Sequence, residues 1–194
     1  MRSAIKTRET GETSIQIEIN LDEYFDYEIN TDVNFLNHML REFALHSGFG
    51  LKVNAKSKDG DTHHLIEDIG ITLGLAFREA LGDKAGIYRF SDIILPMDEA
   101  LIMASVDISG RAHLSNDIDI KEDKVSDFEI VLFQHFLESF VQNSLITLHI
   151  KKLNGVDPHH IIEATFKAVA RVLKKAVSIN PENKGKIPST KGSL

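Results

Sequence analysis

The stretch Asp61-Thr62-His63-His64-Leu65-Ile66-Glu67-Asp68 decides the fold, because a second copy of it occurs later in the chain. The copy is Asp157-Pro158-His159-His160-Ile161-Ile162-Glu163-Ala164, and both copies read Asp-x-His-His-x-x-Glu before an apolar segment. The repeat extends upstream, where His38-Met39-Leu40-x-x-Phe43 corresponds to His135-Phe136-Leu137-x-x-Phe140. The chain is therefore an internal duplication.

Hydrophobic spacing predicts similar elements around each copy of the motif. Apolar residues three and four positions apart predict helices at 35–45, 63–81, 128–143 and 159–177. Alternating apolar residues predict strands at 14–20, 24–29, 51–55, 87–94, 101–108 and 146–151. Residues 1–13 are polar and precede the first strand, 115–127 read as an acidic hairpin or loop, and 180–194 form an irregular tail.

These elements predict an α+β fold of two similar halves, at about residues 1–85 and 86–179, within one domain. The four helices are expected to be buried between two sheets, one sheet from each half. Gly70, Gly74 and Ala76 on the second helix indicate close packing against another helix.

Each copy of the motif can supply a chelating pair and one further histidine. His63 in the first turn of a helix lies on the same face as Glu67, four residues on, so imidazole and carboxylate can hold one metal ion. Paired histidines of helical zinc motifs use the same spacing. His64 points about 100° further round the helix and is expected to serve a different ion.

The second copy repeats this arrangement with His159 and Glu163 as the pair and His160 as the further histidine. Two such half-sites combine into two metal centres. Each centre takes the pair from one half, the further histidine from the other half, and either His38 or His135. A single histidine near a helix start is more often a cap or a surface residue, but two copies with matched upstream histidines argue against that interpretation.

The composition excludes several classes of protein. A net charge of −7 without a run of Lys or Arg argues against nucleic-acid binding. The absence of cysteine excludes disulfides, thiolate zinc sites and a thiol nucleophile. No apolar run approaches the roughly 20 residues of a membrane span, and the polar N-terminus does not read as a signal peptide. We therefore expect a soluble cytoplasmic protein that binds neither nucleic acid nor membrane.

Several stretches together resemble the imidazoleglycerol-phosphate dehydratase family, over nearly the whole chain. They are Phe35-Leu36-Asn37-His38-Met39-Leu40, the two histidine motifs, Pro96-Met97-Asp98-Glu99-Ala100, Ser109-Gly110-Arg111 and Pro188-Ser189-Thr190-Lys191-Gly192. The resemblance implies a hydro-lyase of histidine biosynthesis that converts imidazole glycerol phosphate to imidazole acetol phosphate and water. It also implies four helices between two four-stranded sheets, two Mn²⁺ per active site, and a large homo-oligomer of about 24 chains with sites at subunit interfaces.

The resemblance also assigns roles to individual residues. One ion would be held by His38, His64, His159 and Glu163, and the other by His63, Glu67, His135 and His160. Substrate phosphate would be bound by Arg89, Arg111, Ser189, Thr190 and Lys191, the last three in the tail. Glu12 and His46 would lie near the glycerol chain as catalytic candidates, with Glu12 as the expected proton-transfer group. The sequence departs from the family pattern at Asp32, Asn34, Ala112, His113, Ile130 and Val131, none of which is an expected ligand.

Two other functions compete with dehydration. A dinuclear hydrolase such as a phosphatase generally uses carboxylates that bridge ions about 3.5–4 Å apart, whereas this chain offers one carboxylate per four ligands. A non-catalytic metal-storage shell has no need of Arg89, Arg111 and Lys191. By ligand softness alone, three imidazoles and one carboxylate suit zinc or iron as well as manganese.

Overall fold

The structure, a computed structural model that describes residues 1–24, 26–183 and 185–194, contains four long helices and two four-stranded sheets. The helices are α1 (Asn34–Ser47), α2 (Thr62–Leu81), α3 (Ile130–Ser144) and α4 (Pro158–Val177). The strands are β1 (Ser3–Glu9), β2 (Thr13–Asn20), β3 (Glu28–Asn30), β4 (Gly50–Ser57), β5 (Phe90–Met97), β6 (Ala100–Asp107), β7 (His113–Asp117), β8 (Lys124–Val125), β9 (Phe128–Glu129) and β10 (Thr147–Asn154). None of these helices is long and apolar enough to span a bilayer.

The two sheets have the same topology, which confirms the predicted duplication. Their strand orders are β1-β2-β4-β3 and β5-β6-β10-β7. In each sheet the first three strands are antiparallel and the last runs parallel to its neighbour. The registers also correspond, because Ile17 pairs with Val53 just as Ala104 pairs with Ile150.

The helices lie between the sheets, as predicted. Helix α2 packs on β1 and β2, and α4 packs on β5 and β6. Within the helical layer α1 contacts α4 and α2 contacts α3, so each contact joins a helix of one half to a helix of the other. Ile15, Ile17 and Ile19 of β2 are at most 1% exposed and face this layer. The core is therefore shared by both halves.

Two polar strands were missing from the sequence prediction. β1 carries only one buried residue, Ala4, and lies in the segment that we read simply as polar. Its Arg8 reaches the buried Asp68 of α2, with the guanidinium Nε 2.8 Å from the carboxylate Oδ1. β7 overlaps the predicted acidic loop and pairs in parallel with β10. Pairing with an apolar neighbour, rather than the strand's own propensity, fixes both elements.

The remaining differences are shifts of element boundaries. β5 begins at Phe90 rather than at residue 87, and α3 begins at Ile130 rather than at residue 128. The strand predicted at 24–29 is observed as Glu28–Asn30, and Phe25 lies outside the described residues. Such boundaries depend on caps and pairing that periodicity does not encode.

Helix α2 approaches α3 at two glycines, which confirms the predicted close packing. A Cβ atom on Gly70 would lie 2.8 Å from the carbonyl oxygen of Phe136, and one on Gly74 would lie 2.6 Å from that of Phe140. Real Cβ atoms do not approach so closely, and a helical backbone cannot yield as a flexible side chain does. Glycine is therefore required at both positions.

We expect Gly74→Ala to destabilise the fold although alanine is the better helix former. The methyl group must push α3 away, at a cost of about 1–3 kcal/mol that exceeds the gain in helix propensity of about 1 kcal/mol. Urea unfolding at fixed chain concentration measures the difference. Gly11→Ala is the matched control, because a Cβ there has no heavy atom within 4 Å. Equal stability of the Gly74→Ala protein would show that α3 can shift without loss.

Candidate metal centre

The aspartate that begins each motif fixes the start of its helix. The side chain of Asp61 accepts a hydrogen bond from the His63 backbone N–H at 2.8 Å, and Asp157 accepts one from the His159 N–H at the same distance. These are N-caps, and Pro158 adds a residue suited to the first turn. The caps place both histidine pairs at exposed helix ends.

The first cluster consists of His38 on α1 with His159 and Glu163 on α4. Glu163 Oε2 lies 3.1 Å from His38 Nε2 and 3.0 Å from His159 Nε2. Ligand atoms bound to one ion at about 2.1 Å and at right angles lie about 3 Å apart, so this donor set fits a metal ion. The structure thereby joins His38 to the second-half pair, a choice that helix geometry had left open.

The second cluster is the counterpart built from α2 and α3. His63 Nε2 lies 3.9 Å from Glu67 Oε2, and the rings of His63 and His135 are 4.7 Å apart between centroids. This cluster is more open than the first, because the Glu67 side chain is 46% exposed and that of Glu163 only 8%. Each cluster thus places two imidazoles and one carboxylate near one another, but among the described residues only the first has all three ligand atoms within 4.8 Å of one another.

The further histidine of each motif turns away from both clusters of its own chain. His64 groups instead with Glu12 and Asp59, whose ligand atoms all lie within 4.8 Å of one another. His160 Nδ1 lies 2.7 Å from Glu99 Oε2. Within the described part of the chain, each cluster therefore holds three of the four ligands that the resemblance implies.

The carboxylates beside these two histidines are strongly acidic. The N–H of Asp61 and the His64 ring lower the pKa of Asp59 to about 2, and the N–H of Asp157 and the His160 ring lower that of Glu99 to about 2. The hydrogen bonds in turn raise the pKa values of His64 and His160. Sequence reasoning missed Glu99 as a site residue.

A half-buried lysine, also missed from the sequence, supports the first cluster. Lys167 Nζ lies 2.6 Å from Glu163 Oε1 and 3.4 Å from Glu42 Oε2. Burial opposes ionisation of Glu163, but contacts with Lys167, His38 and His159 lower its pKa overall. Glu42 also lies 3.3 Å from His46, whose pKa is lowered by burial. The four-residue spacing of Glu163 and Lys167 on a helix could have indicated this ion pair from the sequence.

The tail folds back on the second sheet beside Arg89 and Gly110. Arg89 donates two hydrogen bonds to Asp107, at 2.7 and 3.1 Å, and one to the Pro188 carbonyl at 2.8 Å. Lys84 Nζ donates to the Leu194 carbonyl at 3.2 Å, beside Gly110. Arg111, Thr190 and Lys191 are exposed, and Ser189 is half-buried. The tail is thus tied to Arg89, the residue immediately before β5.

Arg89, with the tail that it contacts, lies far from the histidine clusters of the same chain. The Arg89 N–H donates to the carbonyl of Ala176, near the C-terminal end of α4, whereas His159 stands at its N-terminal end. Seventeen residues of helix separate these points by about 26 Å. Glu12 lies on the β1–β2 hairpin, with its carboxylate 3.8 Å from His64 Nδ1.

We expect Lys167→Met to destabilise the metal-free protein by about 3 kcal/mol near pH 7, because it leaves two half-buried or buried carboxylates without their cation. The pKa of Glu163 in the folded protein lies below its ordinary value. The ion pair of Glu163 therefore stabilises the fold fully at pH values above the ordinary pKa, and this stabilisation is lost as the pH falls through the lowered pKa. The deficit should therefore shrink between pH 7 and pH 4, as measured by urea unfolding. Lys56→Met, which removes an exposed partner of Asp32, should cost less than about 1 kcal/mol. A deficit independent of pH would contradict the pairing.

Comparison with known proteins identifies the family. The family model described as imidazoleglycerol-phosphate dehydratase matches residues 31–173. The chain is 50% identical over 195 residues to the imidazoleglycerol-phosphate dehydratase of Thermoanaerobacter pseudethanolicus, and 49% identical over 198 residues to that of Listeria innocua. Both alignments cover 100% of each chain.

Solved structures agree with these relatives. The crystal structure of the Staphylococcus aureus imidazoleglycerol-phosphate dehydratase superposes with a TM-score of 0.84 at 39% identity, over 92% of this chain and 99% of that one. The Pyrococcus furiosus enzyme in complex with (S)-C348 also gives 0.84, at 38% identity, over 97% of this chain and 100% of that one. Sequence, fold and the doubled histidine motif lead to one conclusion: the chain belongs to the imidazoleglycerol-phosphate dehydratase family.

Proposed function

We propose that the chain dehydrates imidazole glycerol phosphate to imidazole acetol phosphate, in histidine biosynthesis, at a site that takes two divalent metal ions. The observation that supports this most directly is the pair of clusters related by the duplication, each with two imidazoles and one carboxylate. Family membership supplies the reaction, and the clusters supply residues able to hold the ions. A cytoplasmic location, and the division into two halves with a substrate-binding tail, remain predictions.

The eight metal ligands divide between the ions by cluster. His38, His159 and Glu163 hold one ion with His64, and His63, Glu67 and His135 hold the other with His160. His64 and His160 turn away from the clusters of their own chain, so we assign them to clusters of neighbouring chains. Manganese is the metal that the family resemblance implies, and nitrogen and oxygen donors accept such an ion.

Charge and placement define what the remaining residues do. When bound, the two ions supply Lewis-acid stabilisation of the negative charge that develops as the non-acidic C–H bond breaks. Lys167 keeps Glu163 ionised and oriented as a ligand. Glu12 is 54% exposed beside His64 and transfers the proton, and His46, with its lowered pKa, accepts a hydrogen bond from the glycerol chain.

The substrate phosphate is bound by Arg89, Arg111, Ser189, Thr190 and Lys191. The Ala176 carbonyl that contacts Arg89 lies about 26 Å from His159 along α4, which is too far for one small substrate to span. The tail of one chain therefore completes the metal centre of another. This argument, together with the outward histidines, supports a large homo-oligomer with its active sites at subunit interfaces.

We expect Glu67→Gln and Glu163→Gln each to weaken chiefly the binding of one ion, a different ion in each variant. Both substitutions should abolish turnover. The amide keeps the side-chain shape but removes the charge, and turnover requires both ions to stabilise the same developing charge. Anomalous scattering at the metal edge reads the two occupancies, and formation of imidazole acetol phosphate reads the activity. Glu138→Gln, on the exposed face of α3, should retain both ions. Loss of the same ion from both variants would contradict the assignment, and a fully metal-loaded wild type without turnover would reject the function.

Shared sites predict complementation between two inactive chains. One chain carries Glu163→Gln and the other carries Arg111→Ala with Lys191→Ala. Co-expressed with different tags and purified through both tags, they should regain activity, because about one quarter of randomly mixed sites combine two intact parts. Each mutant chain expressed alone should stay inactive. Mixed particles without activity would show that a single chain must supply both the metal centre and the phosphate site.

A further inference from the structure

Each outward histidine is held through the same ring nitrogen by a carboxylate. His64 Nδ1 lies 2.8 Å from Asp59 Oδ2, and His160 Nδ1 lies 2.7 Å from Glu99 Oε2. Three further acidic contacts, those of Glu12 and Asp61 with His64 Nδ1 and of Asp98 with His160 Nε2, are 3.8, 3.9 and 3.7 Å long. Those distances exceed a hydrogen bond, so Asp59 and Glu99 are the partners that orient the rings.

The two carboxylates divide their oxygens in the same way. Glu99 Oε1 accepts from the backbone N–H of Asp157 at 2.9 Å and of Val156 at 3.3 Å, which leaves Oε2 for His160. Asp59 Oδ1 accepts from the Asp61 N–H at 2.9 Å and the Ser57 hydroxyl at 3.0 Å, which leaves Oδ2 for His64. One oxygen anchors each carboxylate, and the other faces the imidazole.

An ionised carboxylate only accepts hydrogen bonds, so the Nδ1 that faces it carries the proton and Nε2 keeps its lone pair. We propose that Asp59 and Glu99 are positioning residues that fix His64 and His160 in the tautomer that binds metal through Nε2. This inference rests on the proposed function, because it takes both histidines as ligands of ions in neighbouring chains.

The two halves reach this geometry from different elements. Ile17 and Ala104 occupy equivalent positions in the two sheets. Glu12 and Glu99 each lie five residues before them, so these two glutamates stand at the same point of their hairpins. In the second half that glutamate holds the histidine, and Gly155 stands two residues before the capping aspartate. In the first half Asp59 occupies the position that corresponds to Gly155, and its carboxylate contacts His64 Nδ1. The Glu12 carboxylate lies 3.8 Å from the same nitrogen. The same contact made from two non-equivalent sources indicates a required role, and it leaves Glu12 free for the substrate.

The anchored oxygen makes the amide substitution decisive. In Glu99→Gln the amide oxygen stays on the N–H groups of Val156 and Asp157, so the amide NH₂ faces His160 and donates to Nδ1. The proton then moves to Nε2, the atom that would bind metal. Glu99→Ala leaves the ring free to choose either tautomer. Asp59→Asn should have the same effect on His64.

The test titrates Mn²⁺ alone into the metal-free protein and measures the affinity of each site by calorimetry. Glu99→Gln should weaken one class of site by about 10- to 100-fold and leave the other unchanged, and Glu99→Ala should weaken it less. Asp59→Asn should weaken the other class. Asp92→Asn, an exposed carboxylate on β5, is the control and should bind both ions as the wild type does.

The outcomes separate this inference from the proposed function. If the wild type binds no Mn²⁺, the proposed function fails. If the wild type binds two ions per chain and Glu99→Gln binds them equally well, only the positioning role fails. Equal losses in Glu99→Gln and Glu99→Ala would also overturn it, because they would show that the carboxylate acts without control of the tautomer. Thermal unfolding of each metal-free variant checks that the fold is retained.

Discussion

The contact between α2 and α3 at Gly70 and Gly74 is the constraint on which the second cluster depends. No side chain separates the two backbones there, so the depth of α3 against α2 is set by the helices themselves. That depth brings the ring of His135 against the ring of His63. Any widening of the contact would move one ligand away from the other two, because all three lie at the same end of the helix pair.

The helix pair α1–α4, which corresponds to α3–α2 in the duplication, packs through different side chains. By the alignment of the two motifs, Phe166 and Ala170 of α4 replace Gly70 and Gly74, and the Phe166 ring packs against aromatic residues of α3. Lys167 has Ile71 as its counterpart, so only the first cluster has a cation beside its carboxylate at that position. The two clusters share a ligand set but differ in burial and electrostatics, and two ions bound there would experience different environments.

The sequence predicted the parts of this molecule that are encoded locally. The paired spacing of His63 with Glu67 and the close packing at the glycines both follow from helix periodicity and from the repeat. The polar strands β1 and β7 escaped prediction because pairing with a neighbour determines them. The choice between His38 and His135, and the roles of Lys167 and Glu99, depend on which helices and hairpins meet in space, and periodicity carries no such information.

The separation of the basic tail from the metal clusters has a consequence for symmetry. In the proposed function, each chain has two unlike functional ends, and each end is completed by another molecule. Two chains can each complete the site of the other only if they are related by a two-fold axis. In any other arrangement, the unmatched end of each chain requires a third chain. Such head-to-tail contact continues into a filament unless the rotation between neighbours closes it. Only an assembly closed by symmetry therefore matches every such end while the particle remains finite.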